Sequence, residues 1–453
     1  MNPHAHWSNE PWLSITHHDL HVERMQCEDE GKDISDLQPE FEALLAADLS
    51  LPEQQNRASA LLDTTAAWPT KPETPWVEPS DLDAIRAERP APVSLPQPPN
   101  QAALTDRVLG AWLGRCCGCL LGKPVEGRKS WEMRAYLTAQ DRWPLDRYFS
   151  RTADADVAQT NGFHLHTGGV YEEDIRCMVE DDDTNYTVTG LAIVQQHGAQ
   201  FTPADVARYW MRNLPILHVC TAERVAYKNL VLGVAPPQSA AYRNVYREWI
   251  GAQIRADFFG YANPGRPERA AEWAWRDASI SHVKNGIYGE MWVAAMLAAA
   301  AVCDDIETVI RAGLAQVPAR SRLTAGINRV LTMFHQGATY EQAVDALHAR
   351  WDEGNGHHWC HTISNAELVT IALLWGERDF GATICKSVMP GYDTDCNGAT
   401  AGSVLGMMLG ASALPTAWTA PLNDTLQTGV AGYHEVSIRS LAAITMECIG
   451  AHS

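Results

Sequence analysis

Two short acidic motifs contain the residues of this chain that are best suited to bind a hard metal ion. Asp181, Asp182 and Asp183 are consecutive in VEDDDTNYTV, and Asp393 and Asp395 lie two positions apart in GYDTDCNGAT. Adjacent carboxylates repel one another, so such a run is expected either on a solvated surface or around a cation. Mg²⁺ and Mn²⁺ prefer oxygen ligands from carboxylates and water. We therefore predict a site for one or two Mg²⁺ ions, with Mn²⁺ as the alternative metal.

The elements predicted next to these motifs would hold the carboxylates against the protein core. The three aspartates directly precede the apolar segment TVTGLAIVQQ, which predicts that they form the N-terminus of a buried helix. Glu126 ends another apolar segment, DRVLGAWLGRCCGCLLGKPVEG, and is a further candidate acid of the site.

Glycines recur at every fourth position in two predicted helices, one before Glu126 and one after Asp395. The two series are Gly110, Gly114, Gly118 and Gly122, and Gly398, Gly402, Gly406 and Gly410. A glycine inside a helix costs about 1 kcal/mol relative to alanine, and close approach of another backbone is the usual compensation. We predict that the two helices cross near the centre of the domain and bring their acidic ends together.

A segment rich in Trp, Tyr, Arg and Asn in the middle of the chain suits the binding of a flat ring, although ordinary core packing explains such residues as well. Its candidates for substrate binding are Arg255, Asp257, Asn285 and Tyr288. The cluster HHWCH, which ends at His361, either lines the same pocket or binds zinc.

Helical periodicity dominates after residue 104, and alternating runs of β-branched residues are scarce, so the fold class is all-α. Residues 1–100 contain charged, helical-looking stretches and end in a proline-rich stretch. We predict an N-terminal extension with a proline-rich linker (1–100) and an all-helical catalytic domain (101–453). The histidines of the extension are expected to be solvated surface residues; they are His4, His6, His17, His18 and His21.

The formal net charge of −20 argues against nucleic acid and against an anionic membrane surface as partners. The uncharged stretch from Cys396 to Leu422 is rich in small residues and contains two prolines, so it does not read as a membrane span. Eleven cysteines without paired zinc-type spacing predict free thiols. The first residues lack the pattern of a secretory signal, and we expect a cytoplasmic protein.

The three motifs together resemble those of the ADP-ribosylglycohydrolase family, of the dinitrogenase-reductase-activating type. The resemblance rests on a GxxxGxxxGxxxG helix ending in PVEG, a DDT element and a GxDTD(x)N(x)A element in that order, and it runs from about residue 106 to about residue 410. It implies a compact all-α domain with a dinuclear Mg²⁺ or Mn²⁺ centre, which binds the 2′ and 3′ hydroxyls of a ribose and assists cleavage at the anomeric carbon.

The resemblance also implies roles for individual residues. Asp182 and Asp183 correspond to one pair of metal ligands, and Asp393 and Asp395 correspond to the other. Glu126 is the candidate acid or base, and the expected catalytic residues are Glu126, Asp183 and Asp395. His282, in DASISHVKNGIYGE, resembles a Ser/Thr-His element near the substrate.

Three positions depart from the family pattern. Asp181 stands where threonine is frequent, Cys396 stands where a metal-binding threonine is frequent, and Cys119 replaces a frequent aspartate. We count Asp181 and Cys396 among the candidate metal ligands, although sulfur is a poor ligand for Mg²⁺. These departures predict a divergent branch in which the leaving group need not be a protein side chain.

The predicted function is a Mg²⁺-dependent glycohydrolase that cleaves an N- or O-glycosidic bond to ribose. Its substrate would be an ADP-ribosyl conjugate or a nucleoside-like small molecule. Such a cleavage passes through an oxocarbenium-like state, which requires a fixed sugar and an activated water. The alternative is a non-catalytic descendant of the same fold that binds metal or ADP-ribose.

Overall fold

The computed structural model describes residues 12–151 and 168–452, so the predictions for His4 and His6 lie outside the described residues. Helices dominate, which confirms the predicted all-α class. The one sheet of the described part consists of two antiparallel strands, β1 (Thr425–Gln427) and β2 (Glu435–Ser437), in which Leu426 pairs with Val436. No helix in the described ranges is long and apolar enough to cross a membrane.

The helices of the described residues are joined by loops of varied length and by 3₁₀ turns. Those described in the first hundred residues are α1 (His17–Asp29), α2 (Gln38–Leu45), α3 (Pro52–Ala67) and α4 (Leu82–Ala87). Those described next are α5 (Gln101–Gly122), α6 (Ser130–Thr138), α7 (Asp182–His197), α8 (Pro203–Asn213), α9 (Ala222–Val231), α10 (Gln238–Ala241) and α11 (Asp257–Tyr261).

The second half of the chain continues in the same manner. Its helices are α12 (Pro267–Ala278), α13 (Asn285–Ala300), α14 (Ile306–Leu314), α15 (Arg322–His335), α16 (Tyr340–His348), α17 (Thr362–Trp375), α18 (Phe380–Val388), α19 (Thr394–Leu409), α20 (Thr416–Thr419) and α21 (Ile438–Ala451). Every residue of α13 and of α17 is buried, so these two helices lie inside the core; both are mainly apolar but include a buried glutamate, Glu290 and Glu367 respectively.

The two glycine-rich helices, α5 and α19, cross at the centre of the domain, as the spacing of their glycines predicts. They run antiparallel, with Gly110 facing Gly406 and Gly118 facing Gly398. A Cβ atom added at any of these glycines would overlap the backbone carbonyl of the facing helix. Glycine is therefore required for this close packing, which more than offsets the helix propensity that glycine lacks.

The antiparallel packing of α5 and α19 brings two of the acidic motifs to one end of the pair. The Thr394 hydroxyl, in the first turn of α19, donates a 2.9 Å hydrogen bond to the carbonyl of Gly122, the last residue of α5. Glu126 follows the end of α5 by four residues, and Asp395 lies in the first turn of α19. The two acids are thereby placed at the same end of the central helix pair.

The N-terminal region has a small apolar core of its own and also packs on the rest of the protein. Leu20 and Cys27 of α1 pack with Phe41 and Leu44 of α2 and with residues of α3. The proline-rich stretch from residue 89 to residue 100 contains neither helix nor strand. It leads directly into α5, the first helix of the central pair.

Candidate active site

A cavity of about 240 Å³ lies at the acidic end of the central helix pair. Four acidic side chains line it, and they come from three separate parts of the chain: Glu126, Asp182, Asp393 and Asp395. Four aromatic rings line it as well, namely Trp12, His18, Trp249 and Trp359. The structure thus brings together acids from all three sequence motifs and adds an aromatic wall.

Asp181 and Asp183 lie behind the cavity, and each has a basic partner. Asp181 caps α7 by accepting a 2.9 Å hydrogen bond from the backbone N–H of Asp183, and the Lys123 ammonium lies 2.5 Å from its other oxygen. Asp183 is fully buried and accepts a 3.0 Å hydrogen bond from Arg115. Burial raises the pKa of Asp183, and the charged Arg115 guanidinium opposes that rise. Neither aspartate lines the cavity.

The four acids that line the cavity lack such partners. Among the described residues, no basic side chain forms an ion pair with any of them. Burial, followed by the charge of Asp181, raises the pKa of Asp395 to about 6. The charge of Asp395, followed by burial, raises the pKa of Glu126 well above its usual range, although Glu126 is exposed at the cavity rim. The group therefore favours either protons or a bound cation.

The donor set at the cavity fits a hard divalent ion. One oxygen of Asp395 is buried and has no hydrogen-bond partner. Ligand atoms of Asp393, Asp395 and Cys396 lie within 4.8 Å of one another. Burial raises the pKa of the Cys396 thiol, which donates a 3.1 Å hydrogen bond to Asp183. Because a protonated thiol is a poor ligand for Mg²⁺, the fit rests on the aspartates and not on Cys396.

Lys123 and Arg115 are functional candidates that sequence reasoning missed. Lys123 precedes Glu126 by three residues, between the glycine helix and the glutamate. Arg115 is the lone charged residue in the apolar part of α5. This position could have indicated a buried ion pair from the sequence, because a buried arginine requires acidic partners. Together they place two fixed positive charges beside the acidic cluster.

Two residues that were predicted to bind substrate, Arg255 and Asp257, form buried ion pairs outside the cavity lining. The Arg255 guanidinium lies 2.6 Å from Glu223 and 2.5 Å from Asp277. Asp257 pairs with Arg115 at 2.8 Å and accepts a hydrogen bond from Ser403. These partners occupy the polar atoms that a substrate would need.

Asn285, Tyr288 and His282 also lie away from the cavity lining. Asn285 donates a 2.8 Å hydrogen bond to Glu248, and the Tyr288 hydroxyl donates to the carbonyl of Pro79. The Nδ1 atom of His282 lies 2.8 Å from the hydroxyl of Ser281. All three are buried in the core, the alternative that the sequence left open for this segment.

His361 and His357 point towards Asp29 of α1 and not into the cavity. The Trp249 indole can only donate, so Nδ1 of His357 accepts its 3.0 Å hydrogen bond, and Nε2 carries the proton that is shared with Asp29 at 3.1 Å. Nδ1 of His361 likewise accepts from the backbone N–H of Ile363 at 3.1 Å. The Nε2 atom of His361 is buried without a hydrogen-bond partner. Ligand atoms of Asp29, His357 and His361 lie within 4.8 Å of one another, so the zinc alternative stays a prediction.

The aromatic wall includes two residues from the region that was predicted to be an extension. Trp12 and His18 line the cavity, although the histidines of this region were expected to be ordinary surface residues. His17 and His21 are indeed exposed. His18 is exposed as well, but at the cavity mouth. His18 differs from His17 and His21 only in lying near the acids of the cavity.

Comparisons with known proteins match this chain to a family model and to solved structures. A sequence model of the family described as ADP-ribosylglycohydrolase matches residues 100–448. No curated protein matches the chain significantly. One matching solved structure is described as an ADP-ribosylglycohydrolase-related protein complex. It is 18% identical in sequence, with 78% of this chain and 100% of that chain covered at a TM-score of 0.47.

Proposed function

Because the chain belongs to the ADP-ribosylglycohydrolase family, we propose that it is a Mg²⁺-dependent glycohydrolase that cleaves an N- or O-glycosidic bond to ribose. Membership supports a glycosyl hydrolase that acts on ADP-ribose-like substrates. The dependence on Mg²⁺ and the choice of substrate are our proposals.

The observation that carries the proposal is the set of unpaired acids at the cavity. Asp393 and Asp395 supply oxygen ligands, one of which is buried without a partner, and Asp182 lines the same cavity. We assign these three as the residues that hold the ion. When bound, the ion would act as a Lewis acid that orients the ribose hydroxyls and lowers the pKa of water.

Glu126 is the group on this chain that is best placed to move a proton. It lines the cavity together with the proposed metal ligands, and its exposed side chain can exchange protons with the solvent. In the proposed reaction the bond between C1 and the leaving nitrogen or oxygen breaks, and the leaving atom takes the proton of Glu126. Water forms the new bond to C1 and loses a proton to the solvent.

We propose a single metal ion where the family resemblance implies two. Lys123 and Arg115 already pair with Asp181 and Asp183, so the inner side of the cluster carries its own positive charges. A second divalent ion there would have to displace or repel both. Asp181 and Asp183 are accordingly assigned positioning roles at the N-terminus of α7.

The test is the release of a free ribosyl product from a panel of ADP-ribosylated and nucleoside substrates with Mg²⁺. The Asp395→Ala variant is expected to lose hydrolysis. The matched control is Glu447→Ala, which removes an exposed carboxylate from α21. Undiminished hydrolysis by Asp395→Ala would overturn the proposed site.

A non-catalytic descendant is the second candidate, and one observation favours it. Two of the six acidic positions, Asp181 and Asp183, are already neutralised by basic side chains, as in a site that has lost its metal. Thermal melting with Mg²⁺, with Mn²⁺ and with EDTA separates the two candidates. A melting temperature that rises with metal and falls with EDTA supports the enzyme, and no shift supports the descendant.

A further inference from the structure

The N-terminal segment forms part of the wall of the acidic cavity. Trp12 and His18 from this segment line the cavity together with Trp249 and Trp359, opposite the acids. We infer that these four rings hold a flat heterocyclic ring of the substrate, so that the substrate is a ribose joined to a nucleobase-like group. The part of this inference that concerns the ribose rests on the proposed function.

The rings are arranged as the sides of a box and not as a stack. The centroids of His18 and Trp249 are 6.4 Å apart with an angle of 75° between the planes, and those of Trp249 and Trp359 are 6.1 Å apart at 77°. All four residues belong to the cavity lining, so each presents some surface that a ligand can contact. The Arg224 guanidinium lies 4.6 Å from the centroid of Trp12 and helps to hold that ring.

Buried polar contacts fix α1 to the loops that carry the other two rings. Glu23 pairs with Arg247 at 2.6 Å, and Gln26 donates a 2.8 Å hydrogen bond to Glu248. Asp29 pairs with His357 at 3.1 Å. Arg247 and Glu248 directly precede Trp249, and His357 precedes Trp359 by two residues.

These contacts make the N-terminal segment a structural part of the cavity. Arg247, Glu248 and His357 are all buried, and buried charged or polar groups are costly unless they are paired. Without α1, Arg247 would lose both of its acidic partners, Glu23 and Glu30. The wall that carries Trp12 and His18 is therefore held by the same network as Trp249.

The size and lining of the cavity favour one ring and one sugar. Its volume of about 240 Å³ lies below the roughly 300–1,000 Å³ that is typical of sites for drug-sized ligands. Aromatic faces bind bases of any sequence because every base has a π-face. The acids opposite the rings suit the hydroxyl groups of the sugar. A guanidinium group also stacks on aromatic rings, so the test must distinguish it from a heterocycle.

The test is the affinity of the full-length protein for adenosine, ribose and guanidine in the presence of Mg²⁺, measured by isothermal titration calorimetry. Trp12→Ala and His18→Ala are expected to weaken adenosine binding about tenfold each, in line with the loss of one base–ring contact. Ribose binding is expected to remain unchanged. Trp131→Ala and His17→Ala, which alter exposed side chains outside the cavity, are the matched controls.

Three outcomes would overturn the inference: adenosine binding no tighter than ribose, guanidine binding tighter than adenosine, or variants that behave like their controls. Circular dichroism and melting curves verify that each variant is folded, and the exposed His18 provides a second variant if Trp12→Ala unfolds. All titrations are made in the Glu126→Gln background, in which hydrolysis is expected to be about 10²-fold to 10⁴-fold slower, so that adenosine is bound and not consumed. If the ring variants bind adenosine more weakly but the wild type hydrolyses no substrate, the proposed function is contradicted and the inferred binding site is retained.

Discussion

The ammonium group of Lys123 lies 2.5 Å from a carboxylate oxygen of Asp181, inside the acidic cluster that the sequence marks as a metal site. Asp181, followed by Asp395, is the main source of the charge that raises the pKa of Lys123 against the effect of burial. The lysine therefore stays charged over the whole physiological range of pH. A fixed positive charge stands where the acids alone would attract a second ion.

Replacing Lys123 should change how many ions bind. In Lys123→Met the charge at Asp181 is no longer compensated, so we expect Mn²⁺ to bind more tightly and its stoichiometry to rise from one to two per chain. Calorimetric titration measures both quantities. Lys71→Met removes an exposed lysine and is the control. An unchanged stoichiometry with weaker binding would contradict the proposed role of Lys123.

Removing the acid at the cavity rim should abolish most of the turnover. Glu126→Gln keeps the size of the side chain and loses the transferable proton, so we expect kcat to fall about 10²-fold to 10⁴-fold. In the wild type the rate should fall as pH rises through the pKa that Glu126 has in the metal-bound enzyme, because the deprotonated carboxylate cannot donate. Steady-state rates across pH measure both effects, with Glu447→Gln as the control. A Glu126→Gln variant with the wild-type pH profile would rule out this role.

The contact between Asp29 and His357 should contribute to stability above acidic pH. Burial of Asp29 opposes ionisation, but the hydrogen bond from His357 and the nearby positive charges, Arg322 among them, together outweigh it and lower the pKa from 3.8 to about 2. A lowered carboxyl pKa stabilises the fold above the unfolded value and loses this contribution as pH falls to about 2. We expect Asp29→Asn to lower the free energy of unfolding by about 2 kcal/mol at pH 7.

Urea denaturation at pH 7 and at pH 2 tests the role of Asp29. The difference between wild type and Asp29→Asn should shrink at the lower pH, where the wild-type carboxyl is itself partly protonated. Asp36→Asn changes an exposed acid of the same region and should leave stability unchanged. A difference that is constant across pH would show that the charge of Asp29 is not responsible.

The close packing of α5 and α19 predicts that alanine substitutions at Gly118 and at Gly450 have opposite effects on stability. In Gly118→Ala the new Cβ overlaps the carbonyl of Gly398, so the helices must separate, and we expect a loss of about 3 kcal/mol or more. Gly450 lies in α21 with no atom near its Cβ direction, so Gly450→Ala should gain up to about 1 kcal/mol from helix propensity. Thermal melting compares the two. Equal effects would contradict the packing argument.

Several features of the fold and site follow from local patterns in the sequence. The glycine spacing predicted the close crossing of α5 and α19, since only a bare helix face permits such an approach. The carboxylates of Asp393 and Asp395 were placed correctly at a helix start because such motifs act within one turn. The assignment of Arg255 and Tyr288 to the substrate stays a prediction. Both residues are buried outside the cavity lining, and composition cannot separate a buried network from a binding surface.

The sequence by itself determined which helices form, where the acids stand on them, and that two helices meet along their glycines. These properties depend on spacing within a few turns of one helix. Only the tertiary structure decided which acids are neutralised, since Lys123 reaches Asp181 across 58 positions of the chain and Arg115 reaches Asp183 across 68. It also decided that Trp12 and His18 line the cavity, because their position depends on ion pairs with residues more than two hundred positions away.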